Sequence, residues 1–125
     1  MRRMVVDAPT VLAWFDADGP GSEMRREYEA GAFAALAPRR IHEDLLGAIA
    51  ERTRPTAAQL ARIAAELPHL GIVVQDPPLP LVAGWLARGL DAQTAPYAAL
   101  AESLDLRLAT SDPRLARTAA ALVSS

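Results

Sequence analysis

The chain contains no cysteine and no lysine. Without cysteine there are no disulfides and no thiolate metal sites. Without lysine there is no Walker-A phosphate loop, no Schiff-base chemistry and no lysine-based phospho-acceptor pocket. All 13 basic residues are arginine. Histidine is scarce: His42 and His69 stand isolated, read as structural or exposed, and would need carboxylates to complete a zinc site. No apolar run reaches the length of a membrane span. The opening stretch from Met1 to Asp7 is too short and too soon interrupted by charge for a signal peptide. A cytoplasmic protein with no membrane attachment is therefore expected. A net charge of −2 and a pI near 5.6 argue against a generally basic nucleic-acid binder. They are compatible with a nuclease, whose metal site is itself acidic.

What is present is a globular composition, 51% hydrophobic and 22% charged, over 125 residues. That length predicts one domain, 1–125, with a real core. Met4-Val5-Val6 reads as a buried strand ended by Asp7, followed by a helix from Ala8 to Phe15 with Pro9 in its first turn. Asp18-Gly19-Pro20-Gly21 reads as a loop, and Ser22 opens a second helix that stops at Gly31. Phe33 to Leu36 reads as a short strand, and Arg39 to Thr53 as a longer helix. Another helix starts at Thr56 and closes at Pro68. Gly71 to Val74 is a β-branched strand, and the stiff Pro77–Pro80 turn leads into a helix ending at Gly89. Ala95 to Leu104 is helical, Arg107 to Ala109 a strand, and Asp112-Pro113 begins the last helix. Strands separated by helices predict an α/β fold with a central, mostly parallel β-sheet flanked by helices.

Sites in such sheets lie beyond the carboxyl ends of the strands. Asp7 and Asp112 both follow strands, and if the strands are near neighbours the two carboxylates face one crevice. Carboxylates held together repel unless a cation sits between them, and Mg²⁺ or Mn²⁺ is the usual hard divalent partner. The plainer reading is that each is a helix N-cap, Asp112-Pro113 especially; a cap leaves one oxygen free, so the roles are compatible. On the third helix, taking Leu45, Leu46 and Ile49 as inward puts Asp44 on the solvated side and Glu43 on the flank of the buried face. This favours Glu43 as the site residue. The pairs Arg2-Arg3, Arg25-Arg26 and Arg39-Arg40 read as solvated surface or as RNA phosphate contacts. Trp14, Phe15, Trp85 and Leu86 read as core or partner surface.

Three blocks of the sequence resemble the PIN domain family, most closely the VapC-type toxin ribonucleases. They are Val5-Val6-Asp7-Ala8-Pro9-Thr10, then Ala37-Pro38 with His42-Glu43-Asp44-Leu45-Leu46, and then Tyr97 to Glu102 with Leu108-Ala109-Thr110-Ser111-Asp112-Pro113-Arg114. They run in order over essentially the whole chain. One position departs: where the family carries an aspartate before Ala-x-Tyr, this chain has Thr94. Asp91 stands one helical turn earlier, where the family has a capping serine or threonine, and reads as a cap.

The resemblance implies a Mg²⁺- or Mn²⁺-dependent endoribonuclease toxin cleaving RNA phosphodiester bonds. Asp7, Glu43 and Asp112 would hold the metal and carry catalysis. Thr94, Thr110, Ser111 and Arg114 would support them: Thr94 by a hydroxyl or a held water, Thr110 or Ser111 beside Asp112, and Arg114 against the acidic cluster or a substrate phosphate. It also implies a small antitoxin partner and a homodimer. The missing acid at Thr94 implies a weakened site. The rival reading is a catalytically impaired PIN-fold protein that acts by binding an antitoxin or RNA. A third is an acidic α/β binding domain outside this family, with all three acids as caps or surface.

Overall fold

The computed structural model describes residues 2–16 and 19–123. Four strands form one sheet: β1 (Arg2–Val6), β2 (Phe33–Ala37), β3 (Val73–Val74) and β4 (Arg107–Ala109), in the order β3-β2-β1-β4. All three strand pairings are parallel. The expected mostly parallel α/β sheet is thus entirely parallel. Its two central strands are apolar where they are covered: Met4, Val5 and Val6 are buried, as are Phe33, Ala35, Leu36 and Ala37. No helix among the described residues is long and apolar enough to cross a membrane.

The helices are α1 (Ala8–Ala13), α2 (Pro20–Glu29), α3 (Ile41–Thr53), α4 (Ala57–Glu66), α5 (Leu79–Ala87), α6 (Ala95–Leu104) and α7 (Pro113–Thr118). α1 is two residues shorter than the sequence predicts. Trp14 turns inward at its end and is buried, while Phe15 is left 52% exposed. α2 begins at Pro20, two residues before Ser22, and the hydroxyl of Ser22 donates to the Gly19 carbonyl instead of capping. The first part of the expected Asp18–Gly21 loop lies outside the described residues. Gly21 packs α2 tightly on α1: a Cβ there would stand 2.2 Å from the carbonyl oxygen of Ala13. α4 opens with a capping box, in which Thr56 and Gln59 exchange side-chain and backbone hydrogen bonds. It ends one residue before a 3-10 turn over Leu67–Leu70 that absorbs Pro68. Of the two histidines, His69 is exposed and His42 half-buried.

α6 is the most enclosed helix, with Ala95, Tyr97, Ala98, Ala99, Leu100 and Ala101 all buried. Its run of alanines lets backbone approach the sheet closely, against β1 and β4. Trp14, Tyr28 and Phe33 form an aromatic cluster on the other side, with ring centroids 4.9 to 6.3 Å apart. The register of β1 and β4 fixes which side chains meet at the carboxyl end of the sheet. Val6 lies opposite Ala109, so the residues that leave the sheet next, Asp7 and Thr110, emerge side by side.

Candidate functional site

Asp7 is 3% exposed. It ends β1 and caps α1, accepting the Thr10 N–H on Oδ1 at 3.0 Å. The Thr110 hydroxyl donates to its other oxygen. The same hydroxyl accepts the Asp112 N–H at 3.0 Å, so Thr110 ties the two strand-end aspartates together. Asp112 caps α7, taking the Arg114 and Leu115 N–H groups on Oδ1 at 2.9 and 3.2 Å. Burial pushes the Asp7 carboxyl above the usual aspartate range. The hydrogen bonds from Thr10 and Thr110 pull against that rise, and the nearby Asp112 charge adds to it. No arginine pairs with Asp7 among the described residues.

A crevice of about 130 Å³ opens over these ends of the sheet. Four aspartates line it: Asp7, Asp44, Asp91 and Asp112. Thr94 and Tyr97 line it too. The expectation that Glu43 rather than Asp44 faces the site is corrected here: Glu43 is exposed and Asp44 turns into the crevice, its side chain 8% exposed. The reason lies in Ile41. It and Leu45 are the fully buried residues of α3, whereas Leu46 and Ile49 are only partly covered. At 100° per residue, an inward axis through Ile41 and Leu45 puts Glu43 roughly 180° away and leaves Asp44 on the margin.

Asp44 is held from two directions. Arg40, one turn earlier, grips both its oxygens, at 3.0 and 3.3 Å. The Tyr97 hydroxyl donates to Oδ2 at 2.7 Å. Burial and the Asp44 carboxylate push the Tyr97 phenol far above its usual range, so it stays a donor. Arg40 also donates to the Ala92 carbonyl at 2.6 Å, and Arg114 to that of Gly89 at 2.7 Å. Two arginines therefore pin the loop between α5 and α6.

That loop carries Asp91, whose Oδ1 accepts three hydrogen bonds: from the Gln93 N–H at 3.1 Å and from the Thr94 N–H and hydroxyl, both at 2.8 Å. These bonds, those from Thr94 first, hold the Asp91 carboxyl below its usual value, and the Arg114 charge adds to them. Asp91 closes the turn that precedes α6 and is not the N-cap of the helix, a position held by Thr94 without a side-chain capping bond; it also faces the crevice. The hydroxyl of Thr94 points to Asp91. Ser111 is exposed and lines a different cavity, between α1, α2 and β4, and makes no hydrogen bond to the four aspartates.

The donors are of the kind a hard divalent cation takes, carboxylate oxygens only. Asp91 and Asp112 accept hydrogen bonds only on Oδ1, so each keeps Oδ2 without a protein donor among the described residues. Among the described residues, no three histidine, aspartate or glutamate side chains are gathered closely enough to form a ligand group. The crevice thus offers Mg²⁺ or Mn²⁺ the right donor chemistry but not a gathered set of three ligands.

The fold and crevice define the class: an α/β domain with a four-stranded, all-parallel sheet flanked by helices, consistent with a PIN-like fold. Among solved structures, the chain is similar to that in the crystal structure of PAE2754 from Pyrobaculum aerophilum, with a TM-score of 0.68 and 25% identity, over 94% of this chain and 86% of that one. No protein-family model and no curated protein matches the sequence.

Proposed function

We propose that the crevice is the active site of a Mg²⁺- or Mn²⁺-dependent endoribonuclease of the VapC type. The observation that carries this reading is the convergence of Asp7, Asp44, Asp91 and Asp112 on one crevice at the carboxyl end of a parallel sheet, with Asp7 buried and unpaired with any arginine among the described residues. Asp7 and Asp112, tied together through Thr110, would hold the ion, and Asp44, in place of Glu43, would face it across the crevice. When bound, the ion lowers the pKa of a water and neutralises charge on the phosphate in the transition state. In the overall reaction, the water oxygen bonds to phosphorus, the bond to the departing ribose oxygen breaks, and a proton from water ends on that oxygen.

The chain's own residues do the positioning. Thr110 fixes the separation of Asp7 and Asp112 through its two hydrogen bonds. Tyr97 and Arg40 orient Asp44. Arg114 is exposed beside the crevice and fits an RNA phosphate. A small antitoxin, a second copy of the chain and a cytoplasmic location belong to the same proposal. The apolar groove of about 410 Å³ between α1, α3 and α4, and the exposed Leu79 and Leu86 of α5, are surfaces open to such partners.

A second reading has its own support. Asp44 is already neutralised by Arg40, and Thr94 brings no charge, which suits a PIN-fold protein that binds an antitoxin or RNA without cleaving. Incubating a mixed RNA pool with the protein in Mg²⁺ and Mn²⁺, beside Asp7→Ala and Thr94→Asp, separates the two. The nuclease reading predicts cleavage that Asp7→Ala abolishes. Silence from the wild type with cleavage by Thr94→Asp would establish the second reading, and silence from both would overturn the nuclease.

A further inference from the structure

Thr10 and Thr110 form a wall with two sides. Towards the crevice they hold Asp7, through the Thr10 N–H and the Thr110 hydroxyl. On the other side both line a separate cavity of about 350 Å³, between α1, α2 and β4. Thr110 and Ser111 stand at its upper end, beside the carboxyl ends of the strands. Arg2 and Glu27 stand at its lower end, where α2 leads into β2. The register sets Thr110 level with Asp7, five residues above Arg2, which is roughly 16 Å at the rise of a strand. A nucleotide extended from its phosphate to the far edge of its base, with one long side chain reaching to meet it, fits that span.

Arg2 and Glu27 line the same cavity but form no ion pair with each other or with any other described residue. The Arg2 guanidinium lies 5.8 Å from the centroid of the Phe33 ring instead. Two unpaired opposite charges at one end of a cavity suit a planar group that offers donors and acceptors side by side. Guanine does so: its N1–H and N2–H face a carboxylate, and its O6 and N7 face a guanidinium. Met4 and Met24 line the cavity between its ends and give a base a polarisable thioether surface to lie on. We infer that this cavity binds a guanine nucleotide of an RNA strand lying over the crevice, and that Glu27 and Arg2 read its base. The choice of RNA rests on the function proposed above; the cavity itself needs no metal ion. Because Thr10 and Thr110 belong to both walls, the phosphate next to the bound guanine is the one brought to Asp7 and Asp112.

The test is an NMR titration in EDTA that follows the methyl signals of Met4 and Met24 in methionine-labelled protein. The ligands are GMP, AMP, CMP and UMP, and the pentanucleotides UUGUU and UUAUU. The inference predicts that GMP and UUGUU move both signals, with an affinity on the order of tenfold above that of AMP and UUAUU. Glu27→Gln and Arg2→Gln each cut that preference to within about twofold. Both side chains are exposed, so the melting temperatures of these variants stay at the wild-type value. Arg3→Gln keeps the preference, because alternation along β1 turns Arg3 to the opposite face of the sheet. Equal affinity for all four mononucleotides, a wild-type preference in Glu27→Gln, or signals that no ligand moves would each overturn the assignment. Shifts with GMP and none with UUGUU make the ligand a free nucleotide and overturn its RNA source. The titration uses neither metal nor cleavage, so it fails separately from the nuclease. Guanine binding by a protein that cuts no RNA upholds this inference and removes the nuclease, and RNA cleavage with unmoved Met4 and Met24 signals does the reverse.

Discussion

α4 and α6 are both ten residues long, and they are built to opposite ends. α6 buries six of its residues and lies against β1 and β4, beneath the aspartate crevice. α4 separates its apolar and polar faces more sharply, yet none of its residues is fully buried. Its Ile63 lines an apolar groove with Val11, Leu12, Leu45 and Ile49 instead of closing onto them. The difference shows where rigidity has been placed. The four aspartates depend on β1, β4, α3, α6 and two arginine clamps, where side-chain positions are held by close packing. The groove depends on a helix with few contacts, whose backbone opens at lower free energy.

The largest effect that tests this contrast is a pair of truncations. Leu100→Ala on α6 should cost about 3 kcal/mol, the usual range for a fully buried leucine. Ile63→Ala on α4 should cost about 1 kcal/mol, because the residue is only partly covered. Urea denaturation midpoints measure both, and equal losses would break the comparison. Next in size is Thr56→Ala, which removes the capping box of α4 and should cost about 1 kcal/mol. Hydrogen exchange should accelerate across α4 and remain unchanged in α6. Faster exchange in both would mean that the two helices open as one unit.

A smaller effect is expected from pH, and its two contributions have opposite signs. The folded state raises the Asp7 pKa, so Asp7 favours folding while protonated, and that contribution is lost as pH rises from the unfolded value through the raised folded one. The folded state lowers the Asp91 pKa, so Asp91 contributes stability above the unfolded value and loses it as pH falls through the folded one. In metal-free protein, Asp7→Asn should therefore flatten the fall in stability above about pH 4, and Asp91→Asn should flatten the acid limb below it. Denaturation midpoints from pH 3 to 7 give both slopes, and unchanged slopes would contradict these assignments.

The fold was largely legible because its signals are local. Pro9 and Pro113 mark first turns, Thr56 opens a helix, and Gly31 and Gly89 stop helices at positive φ, whereas Gly71, read as the start of a strand, instead ends the 3-10 turn and leaves β3 to Val73–Val74. Asp7 and Asp112 were legible as caps at strand ends, and the register that sets Val6 beside Ala109 brings those ends together. What escaped the sequence was directional. The inward axis of α3 depends on how far Ile41 is buried, and weighting Leu46 and Ile49 instead rotated the helix enough to favour Glu43 over Asp44. The arrival of Asp91 in the crevice depends on loop contacts from Arg40 and Arg114, which come from 52 and 25 residues away in the chain. Pairings at that separation leave no local pattern.

On the proposed reading, this crevice carries more negative charge than the protein neutralises, and a divalent cation completes it. The most direct measurement is the melting temperature of wild type and Asp7→Asn, each in EDTA and in saturating Mn²⁺. In EDTA, Asp7→Asn should melt a few degrees higher, because a buried charge has been removed for a gain on the order of 1 kcal/mol. In Mn²⁺ the order should reverse, because only the wild type gains the full stabilisation from the bound ion. The same order in both conditions would contradict a cation-completed crevice.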